Sequence, residues 1–278
     1  MQSIRMRFPG GKAKAFTTSY DDGVQQDVRL IEIMRQNGVK GTFNLNSGCF
    51  APEGTVYPQG QVHRRMTAKE CLAAYAGDDL EVAVHAYTHP FLEALPTAGA
   101  MTQVIDDRRA LEKAFGRIVR GMAYPYGTYS DDVVEILRLA GIAYSRTVEA
   151  RLNFDITRDW LRLGATCHHN HAALFDLGDQ FVKDVPKRDA WLFYLWGHAY
   201  EFEGDGNWSR IEEFLSRVGG RDDVWYATNI QIYDYTQAFR AIIYSAESTL
   251  AFNPTCTDVW VEADGNILCL KAGQTTRL

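Results

Sequence analysis

The sequence predicts an α/β barrel of seven or eight strand–helix units, with an antiparallel β-hairpin added at the C-terminal end. Apolar, β-branched runs alternate with helical patterns from residue 16 to residue 245, which favours parallel strands with helices outside. Carboxylates and histidines follow the ends of several of these runs, and a barrel collects its functional groups at that face. Asp264-Gly265 between two apolar runs predicts the hairpin. A doubly wound sheet is the alternative, and the shared position of the polar residues favours the barrel.

The first strand and helix have clear limits. Residues 16–20 are apolar, aromatic and β-branched, as expected of a buried strand. An apolar stripe at helical spacing predicts a helix over 24–37, and Gly38 is suited to end it. The second strand, 41–46, leads into a loop at 47–66 that is rich in glycine and proline. A loop of that length in a compact domain is more often functional than filler.

Helix caps and strand patterns continue the alternation. Thr67 and Glu70 form a capping box, and Ser130 caps a later helix that Gly141 ends. The further strands are predicted at 80–85, 118–124, 142–148, 161–167, 190–195 and 224–228, and the further helices at 67–77, 101–115, 130–140, 172–182, 208–218 and 233–245.

Length and composition indicate one globular domain. The chain has 278 residues, of which 46% are hydrophobic and 23% charged. That length is ordinary for a single barrel. We therefore predict a single domain over 1–278, with the barrel at about 12–248 and the hairpin appendage at about 249–278.

Charge and cysteine usage limit the partners and the compartment. A net charge of -6 and a pI near 5.7 argue against nucleic-acid and anionic-membrane partners. The first residues show no signal peptide, and no stretch has the length of a transmembrane segment. Five scattered cysteines fit reduced thiols better than a disulfide framework. We predict a cytoplasmic protein, although a secreted protein without its leader would have the same sequence features. The oligomeric state is left open.

Two adjacent carboxylates follow the first strand. If strand geometry continues, Asp21 and Asp22 point to opposite faces and can hold different roles. One carboxylate can bind a metal ion while the other takes a proton from water. Gly23 then allows a sharp turn into the helix. The simpler interpretation, that Asp22 only caps the helix, holds for an isolated Asp-Asp-Gly.

Two histidines follow the third strand. His85 and His89 are four residues apart, so one helical turn would bring both imidazoles to the same ion. Pro90 keeps His89 out of the right-handed helical region, which excludes a long zinc-binding helix. Together with Asp22 they make three protein ligands, the number found in a catalytic zinc site. A His-x-x-x-His pair alone is more often structural.

Two further stretches end strands at the same predicted face. Pro125-Tyr126-Gly127 is a tight turn whose N–H groups can bind an oxyanion, although an ordinary loop has the same letters. His198 ends the seventh strand and is a candidate acid, although a lone histidine is usually a satisfied rim group.

Four motifs in this order resemble those of the polysaccharide deacetylases of carbohydrate esterase family 4, the NodB-homology proteins, which include chitin and peptidoglycan deacetylases. The resemblance covers about residues 16–244. The motifs are Ser19-Tyr20-Asp21-Asp22-Gly23, His85-x-x-Thr88-His89, Tyr124-Pro125-Tyr126-Gly127 and Leu195-x-x-His198. The resemblance implies a distorted, incomplete (β/α)7–8 barrel.

The resemblance also implies roles for individual residues. Asp21 corresponds to the catalytic base, His198 to the catalytic acid, and the Tyr126 N–H to part of the oxyanion hole. The implied metal ligands are Asp22, His85 and His89, for one divalent ion, zinc first, with cobalt, nickel or manganese as alternatives. Further oxyanion or substrate contacts are expected from Pro125, Gly127, Arg146 and His168.

The sequence departs from the family pattern at two places. The arginine that pairs with the base in the third motif is replaced by Ala123, and Arg146 is a candidate substitute. The fourth motif, an aspartate with a downstream Asp-Trp that orients the acid, has no clear counterpart, because Asp159-Trp160 is wrongly placed. An untuned His198 would titrate near its reference value of about 6.5. The candidate neighbours are Glu201, Asp155 and His168.

The function expected from these residues is metal-dependent removal of an N-acetyl group from an N-acetylated saccharide. The same site could act on an O-acetyl ester or on a cyclic imide or ureide. Other classes are a non-catalytic carbohydrate-binding barrel, which the complete ligand set disfavours, and a metal-storage protein built on residues 167–171. Consecutive histidines of that second cluster do not readily converge on one ion.

Overall fold

The structure, a computed structural model, describes residues 3–278. The strands are β1 (Ile4–Arg7), β2 (Lys14–Asp21), β3 (Gly41–Leu45), β4 (Leu80–Val84), β5 (Gly121–Ala123), β6 (Tyr144–Ala150), β7 (Leu163–Ala165), β8 (Cys167–His168), β9 (Trp191–Gly197), β10 (Val224–Tyr226), β11 (Ile243–Tyr244), β12 (Leu250–Phe252), β13 (Val259–Ala263), β14 (Asn266–Leu270) and β15 (Thr275–Arg277). The helices are α1 (Asp27–Gln36), α2 (Ala68–Ala74), α3 (Thr97–Phe115), α4 (Asp131–Leu139), α5 (Leu174–Lys183), α6 (Ala199–Gly204), α7 (Trp208–Val218) and α8 (Asn229–Arg240). Within the described residues, no helix combines the length and the apolar character needed to cross a bilayer.

The central sheet is parallel and closes on itself. Its order is β7-β6-β5-β4-β3-β2-β9-β8, with β10 also beside β2. The two strands at the ends of this order, β7 and β8, are separated along the chain by Thr166 alone. The Thr166 N–H donates to the Tyr194 carbonyl of β9 at 2.8 Å, so the chain itself joins the β6 side to the β9 side. The predicted α/β barrel, in the distorted form that the family resemblance implies, is confirmed.

The sixth predicted strand, 161–167, is not one strand. Its first part, β7, pairs with β6, and its second part, β8, pairs with β9. Trp160–Arg162 forms a short 3₁₀ turn instead. Both strand pieces are largely buried, so the apolar pattern continues through the change of partner and cannot reveal it.

The helix predicted at 233–245 starts and ends earlier, as α8. Thr228 and Gln231 form a capping box that starts the helix, a signal that the apolar pattern alone misses. At the other end, Ile243 pairs with Phe252 of β12, so this segment is drawn into a strand by a tertiary contact.

The C-terminal hairpin is confirmed, but it is part of a larger appendage. β13 and β14 pair across a turn at Asp264 (φ 46°) and Gly265 (φ 86°), where a positive φ favours glycine. The N-terminal strand β1 adds to β13, and a second antiparallel sheet forms from β11, β12 and β15. The boundary at residue 249 stays a prediction.

The alternation of side chains along β2 decides which of them point into the barrel. All eight residues are buried. Phe16 faces the helices, since its ring lies 6.3 Å from that of Phe214 in α7. Residues of opposite parity point inward: Thr17 bonds to Asn229, and Asn44 of β3 donates to Ser19 at 2.8 Å. Asp21 shares this parity, so the strand directs its carboxylate into the top of the barrel.

The capping box of α2 allows a test of the local prediction. Thr67 accepts from the Glu70 N–H at 3.2 Å, and Glu70 accepts from the Thr67 N–H at 2.7 Å. Thr67→Ala should lower the free energy of unfolding by about 1 kcal/mol, since the Glu70 N–H loses its acceptor. Thr67→Ser, which keeps the acceptor, is the control. Equal urea midpoints for both variants would contradict the capping role.

Candidate active site

Both aspartates at the end of β2 turn toward one histidine. Asp21 is the last residue of β2, and Asp22 has φ 86°, in the left-handed region. Their carboxylates lie 3.9 and 4.0 Å from the same atom, His85 Nε2. The expectation that they point to opposite faces is therefore wrong, because strand geometry ends at Asp21. The change of backbone hand brings both carboxylates into one site.

Asp21 is buried and held on both carboxylate oxygens. Asn44 donates to Oδ1 at 2.8 Å, and the Arg146 guanidinium donates to Oδ2. Burial alone would raise the pKa of this carboxyl, but Arg146, His85 and His198 outweigh it and hold the pKa below its usual value. Asp21 is therefore ionised at neutral pH and accepts protons only weakly until this charge environment changes.

Arg146 takes the place left by Ala123. The two residues are directly opposite each other in the β5–β6 register. The guanidinium is buried, lies over the Trp196 ring at 4.3 Å, and reaches Asp21 across the barrel. The arginine that pairs with Asp21 is therefore on β6 and not on β5. The predicted substitute, Arg146, contacts the Asp21 carboxylate.

Asp22, His85 and His89 form a cluster with metal-ligand spacing. Their ligand atoms all lie within 4.8 Å of one another. His85 Nε2 and His89 Nε2 lie 4.0 and 3.9 Å from Asp22 Oδ1. Two atoms that each bind zinc at about 2.0–2.2 Å can be no more than about 4.4 Å apart, so these distances are compatible with a common ion. His89 has φ 58°, outside the right-handed region, as Pro90 predicts.

The hydrogen bonds of His85 leave Nε2, the nitrogen that faces the cluster, free to bind a metal ion. His85 Nδ1 lies 2.8 Å from the Ala123 carbonyl, which can only accept, so Nδ1 carries the proton. Nε2 then presents a lone pair to the cluster, the arrangement seen in metal-bound histidines. The His85 backbone N–H donates to Asp107, whose other oxygen accepts from Ser47 at the start of the long loop. Burial lowers the pKa of the His85 imidazole, which favours the neutral, ligating form.

The long loop at 47–66 supplies an arginine and a histidine to Asp22. Arg65 donates to Asp22 Oδ1 at 2.9 Å and to the Asp22 carbonyl, and it also reaches Asn46. His63 Nε2 lies 3.2 Å from Asp22 Oδ2. Burial opposes ionisation of Asp22, but His63 and Arg65 outweigh it and lower the pKa of this carboxyl. The loop therefore fixes the orientation of a candidate ligand.

His198 is tuned by Glu201. His198 Nδ1 lies 3.0 Å from Glu201 Oε1, and Nε2 lies 3.8 Å from Asp21 Oδ2. Burial would lower the pKa of the imidazole, but the Glu201 hydrogen bond and Asp21 raise it above its usual value. The sequence left the residue that tunes His198 unassigned, and the structure places Glu201 in that position. Of the three candidate neighbours, Glu201 is the one within hydrogen-bonding distance.

Glu201 also contacts two neighbouring histidines. Its Oε2 lies 3.1 Å from His168 Nε2 and 2.9 Å from His169 Nε2. Three imidazoles outweigh the effect of burial and hold the pKa of Glu201 below its usual range. His168 Nδ1 accepts from the Asn170 N–H at 3.1 Å, so the proton of the neutral imidazole is on Nε2. His168 and His169 thus both lie beside this carboxylate, and His168 is connected to His198 through Glu201.

The turn after β5 is strained and points into the site. Tyr126 has φ 58°, and Gly127 has φ 74°. A Cβ at Gly127 would lie 2.4 Å from Val148, so only glycine fits there. Gly127 donates to the Tyr124 carbonyl and Thr128 donates to that of Pro125, and the Tyr126 N–H takes part in neither bond.

These groups line one cavity of about 320 Å³. Its lining residues are Asp21, Asp22, His85, His89, Tyr124, Tyr126, Gly127, Val148, Trp196, His198 and Tyr200. Of the other predicted contact residues, Arg146 lies behind Asp21, Pro125 is buried under the turn, and His168 lies behind Glu201. The site is thus a polar pocket at the carboxyl ends of the barrel strands, the position expected for a barrel enzyme.

Comparison with known families agrees with this architecture. Residues 9–145, about half of the chain, match the model of the polysaccharide deacetylase family. This part of the chain belongs to the polysaccharide deacetylase family. It contains the aspartates, both candidate histidine ligands and the Pro-Tyr-Gly turn.

Two curated proteins are similar over part of their length. A chitin deacetylase from Pestalotiopsis sp is 28% identical over 130 residues, which cover 46% of this chain and 39% of that protein. A chitooligosaccharide deacetylase from Sinorhizobium fredii (strain NBRC 101917 / NGR234) is 29% identical over 159 residues, 56% of this chain and 64% of that protein. The chain therefore matches less than two thirds of either relative.

The fold is also found in a crystal structure from Mycobacterium smegmatis of a protein assigned to the polysaccharide deacetylases. The TM-score is 0.59 at 17% identity, and the match covers 86% of this chain and 96% of that one. At this identity the similarity establishes the shared fold alone.

Several site residues have no visible signal in the sequence. Asn44 lies in an ordinary strand, and Trp196 is one of several aromatic residues in β9. Arg65 and His63 lie in a loop whose path the sequence does not predict. His169 is separated from Glu201 by 32 positions of chain. Only Glu201, three residues after His198 in a polar run, carries a local signal, since that spacing can bring two side chains together.

The Asp21–Arg146 pair generates a stability prediction. Arg146→Met should lower the free energy of unfolding of the metal-free protein by about 3–5 kcal/mol at pH 7, since Asp21 is left as an unpaired buried charge. Without the guanidinium, burial raises the pKa of Asp21, so the variant regains stability as the pH falls and the carboxyl takes up a proton. The difference between variant and parent should therefore shrink toward pH 4.

A surface pair is the matched control. Arg138 pairs with Glu135 on α4 and is exposed, so Arg138→Met should cost less than about 1 kcal/mol at either pH. Urea unfolding at pH 4 and pH 7 measures both variants. A pH-independent loss in Arg146→Met would show that Asp21 does not depend on this arginine for its charge.

Proposed function

We propose that this protein is a metal-dependent hydrolase that removes the N-acetyl group from an N-acetylated saccharide. One observation carries the proposal: a three-ligand cluster, an ionised carboxylate and a carboxylate-paired histidine line the same cavity. Membership of the polysaccharide deacetylase family supports the choice of substrate class. The deacetylase relatives act on chitin and chitooligosaccharides according to their names, and both carry N-acetyl sugars.

The donor set suits a divalent ion. Two neutral imidazoles and one carboxylate would hold it, with an open position for water or substrate, and zinc is the first expectation. Such an ion, when bound, polarises a carbonyl and makes water more acidic. Two of the three ligands are also held by a second contact: His85 by Ala123, and Asp22 by Arg65 and His63.

The side chains around the cluster supply the proton transfers. Asp21 takes a proton as the water oxygen bonds to the acetyl carbon, and the carbonyl electron pair moves to the oxygen. The Tyr126 N–H donates to that oxyanion. His198 gives a proton to the nitrogen as the C–N bond breaks, which releases acetate and a free amine. The Glu201 hydrogen bond raises the pKa of His198 and so favours the protonated imidazole that this step needs.

Arg146 and Glu201 are positioning residues in this scheme. Arg146 keeps Asp21 ionised and directs it from the inside of the barrel. Glu201 fixes the His198 tautomer, so that Nε2 faces the cavity, and stabilises the charged imidazolium. Arg146 has the function of the arginine in the third motif of the family, and Glu201 orients the acid in place of the fourth motif.

An O-acetyl esterase is the second candidate. The same base and cluster can attack an ester, and an alkoxide leaves more readily than an amine. The His198–Glu201 pair favours the amide, because strong protonation of the leaving group is needed there. Hydrolysis of a cyclic imide or ureide is a further alternative on this site.

Acetate release tests the proposal directly. The protein, loaded with zinc, cobalt, nickel or manganese, is incubated with N-acetylglucosamine, its oligomers and O-acetylated counterparts. Acetate from the N-acetylated compounds supports the proposal. Acetate only from the esters, or none from any compound with every metal, overturns it.

The role of Asp21 as base can be separated from the role of His85 as metal ligand. Asp21→Asn should keep the bound metal but lower turnover by several orders of magnitude, since the base is lost and the ligand set is not. His85→Ala should lose both metal and turnover. His171→Ala, which removes a histidine outside the cavity, should lose neither. Metal content after loading and acetate release are measured on the same samples, and equal metal content in Asp21→Asn and His85→Ala would refute the ligand assignment.

The role of His198 depends on the leaving group. His198→Ala should reduce amide hydrolysis at least about tenfold more than hydrolysis of an activated aryl acetate, since the phenolate leaves without protonation. Glu201→Gln should shift the basic limb of the amide pH profile to lower pH, because loss of the carboxylate lowers the pKa of His198. Rates from pH 5 to pH 9 measure both. Equal losses on the two substrates would show that His198 is not the proton donor.

A further inference from the structure

The turn that carries the two candidate histidine ligands has an unusual backbone. Ala86, directly after His85, has φ 60°, and His89 itself has φ 58°. For residues other than glycine, a left-handed conformation costs free energy and persists only where the surrounding structure holds it. The histidine turn, defined as residues 85–89, therefore depends on contacts from elsewhere in the chain.

One asparagine connects this turn to the third candidate ligand. Asn46 directly follows β3 and is fully buried. Its amide nitrogen donates to the His85 carbonyl and, at 2.7 Å, to the Ala86 carbonyl. Its amide oxygen accepts from Arg65 at 2.7 Å, and the same guanidinium donates to Asp22. Because carbonyls only accept and a guanidinium only donates, this is the one orientation of the amide that satisfies all three contacts.

No other group shares this role with Asn46. Within residues 3–278, nothing else donates to the His85 or the Ala86 carbonyl. Both residues are buried, and a buried carbonyl that loses its donor is costly. A turn that already contains left-handed residues can relieve this cost by changing its backbone conformation. Loss of the Asn46 amide should therefore displace His85 and His89 relative to each other.

We propose that Asn46 is a positioning residue of the metal cluster and sets the affinity of the cluster for its ion. It acts through the backbone of the histidine turn and through Arg65, and not as a ligand. One amide thus keeps the turn that carries His85 and His89 in register with Asp22. Groups that orient metal ligands in this way typically contribute about 10–100-fold to metal affinity. The inference rests on the metal cluster of the proposed function and names a residue that preorganises it.

Metal affinity tests the inference without any substrate. Asn46→Leu fills nearly the same space but has no donor, so it should raise the Kd for zinc at least about tenfold. Zinc is titrated against a competing chelator, at a temperature at which circular dichroism shows parent and variant folded. The visible spectrum of the cobalt-loaded protein should also change, because it reports the ligand geometry around the ion. Asn46→Ser keeps one hydroxyl donor, is the milder change for folding, and should lie between parent and Asn46→Leu.

A second buried asparagine is the matched control. Asn253 is fully buried, and its amide nitrogen donates to the Thr257 and Leu270 carbonyls, both at 2.8 Å, in the C-terminal appendage. Asn253→Leu should lower the free energy of unfolding as Asn46→Leu does, since both remove the same type of contact. It should leave the zinc Kd and the cobalt spectrum at the parent values. The comparison separates a loss of stability from a loss of ligand geometry.

The outcomes distinguish this inference from the proposed function. Weaker zinc binding and a changed cobalt spectrum in the Asn46 variants, with neither in Asn253→Leu, support the inference. Folded Asn46 variants that bind zinc as tightly as the parent, or an equal loss in Asn253→Leu, overturn it and leave the proposed function standing. The expected dependence on Asn46 in a protein that releases no acetate from any saccharide refutes the proposed function alone. A parent protein that binds no metal ion refutes both.

Discussion

The buried pairing of Asp21 with Arg146 is the interaction on which the site depends. A carboxylate in the interior of a barrel stays ionised only if a cation accompanies it, since desolvation would otherwise drive it to the neutral form. The alternation along β2 directs Asp21 inward, and Asn44 and Arg146 then hold its two oxygens. Trp196 covers the guanidinium and keeps water from replacing the pair.

The position of Arg146 shows that the site needs a guanidinium beside the Asp21 carboxylate, whichever strand carries it. Ala123 and Arg146 are register partners on adjacent strands. A long side chain can therefore reach the same point inside the ring from either strand. This freedom explains how the chain can carry Ala123 in β5 and still present a paired aspartate.

Glu201, on the other side of the cavity, is likewise a carboxylate whose charge is stabilised by groups from distant parts of the chain. One carboxylate lies within 3.1 Å of an imidazole nitrogen from each of His168, His169 and His198. The tautomer of His168, set by the Asn170 N–H, places the ring proton on Nε2 and leaves no lone pair there for an ion. The cluster is thus better suited to hold a protonated His198 than to bind a second metal.

Local signals account for much of the fold. Strand alternation predicts the parallel barrel, Thr67 and Ser130 start their helices as their capping chemistry dictates, and Asp264-Gly265 makes the C-terminal turn. The signals fail where a segment changes partner. The stretch 161–167 divides between β6 and β9, and the end of the predicted last helix becomes β11, because strand partners are chosen by contacts far away in the chain.

For the site, the sequence by itself determined which residue types stand at the ends of β2, β4, β5 and β9, since motif spacing is a local property. It could not determine how they meet. The positive φ of Asp22 brings its carboxylate to the same histidine as that of Asp21, and only the closed ring brings Arg146 to Asp21. Likewise, His169 reaches Glu201 because β8 pairs with β9. The pairing of charges depends on distances between strands, and those distances exist only once the barrel has closed.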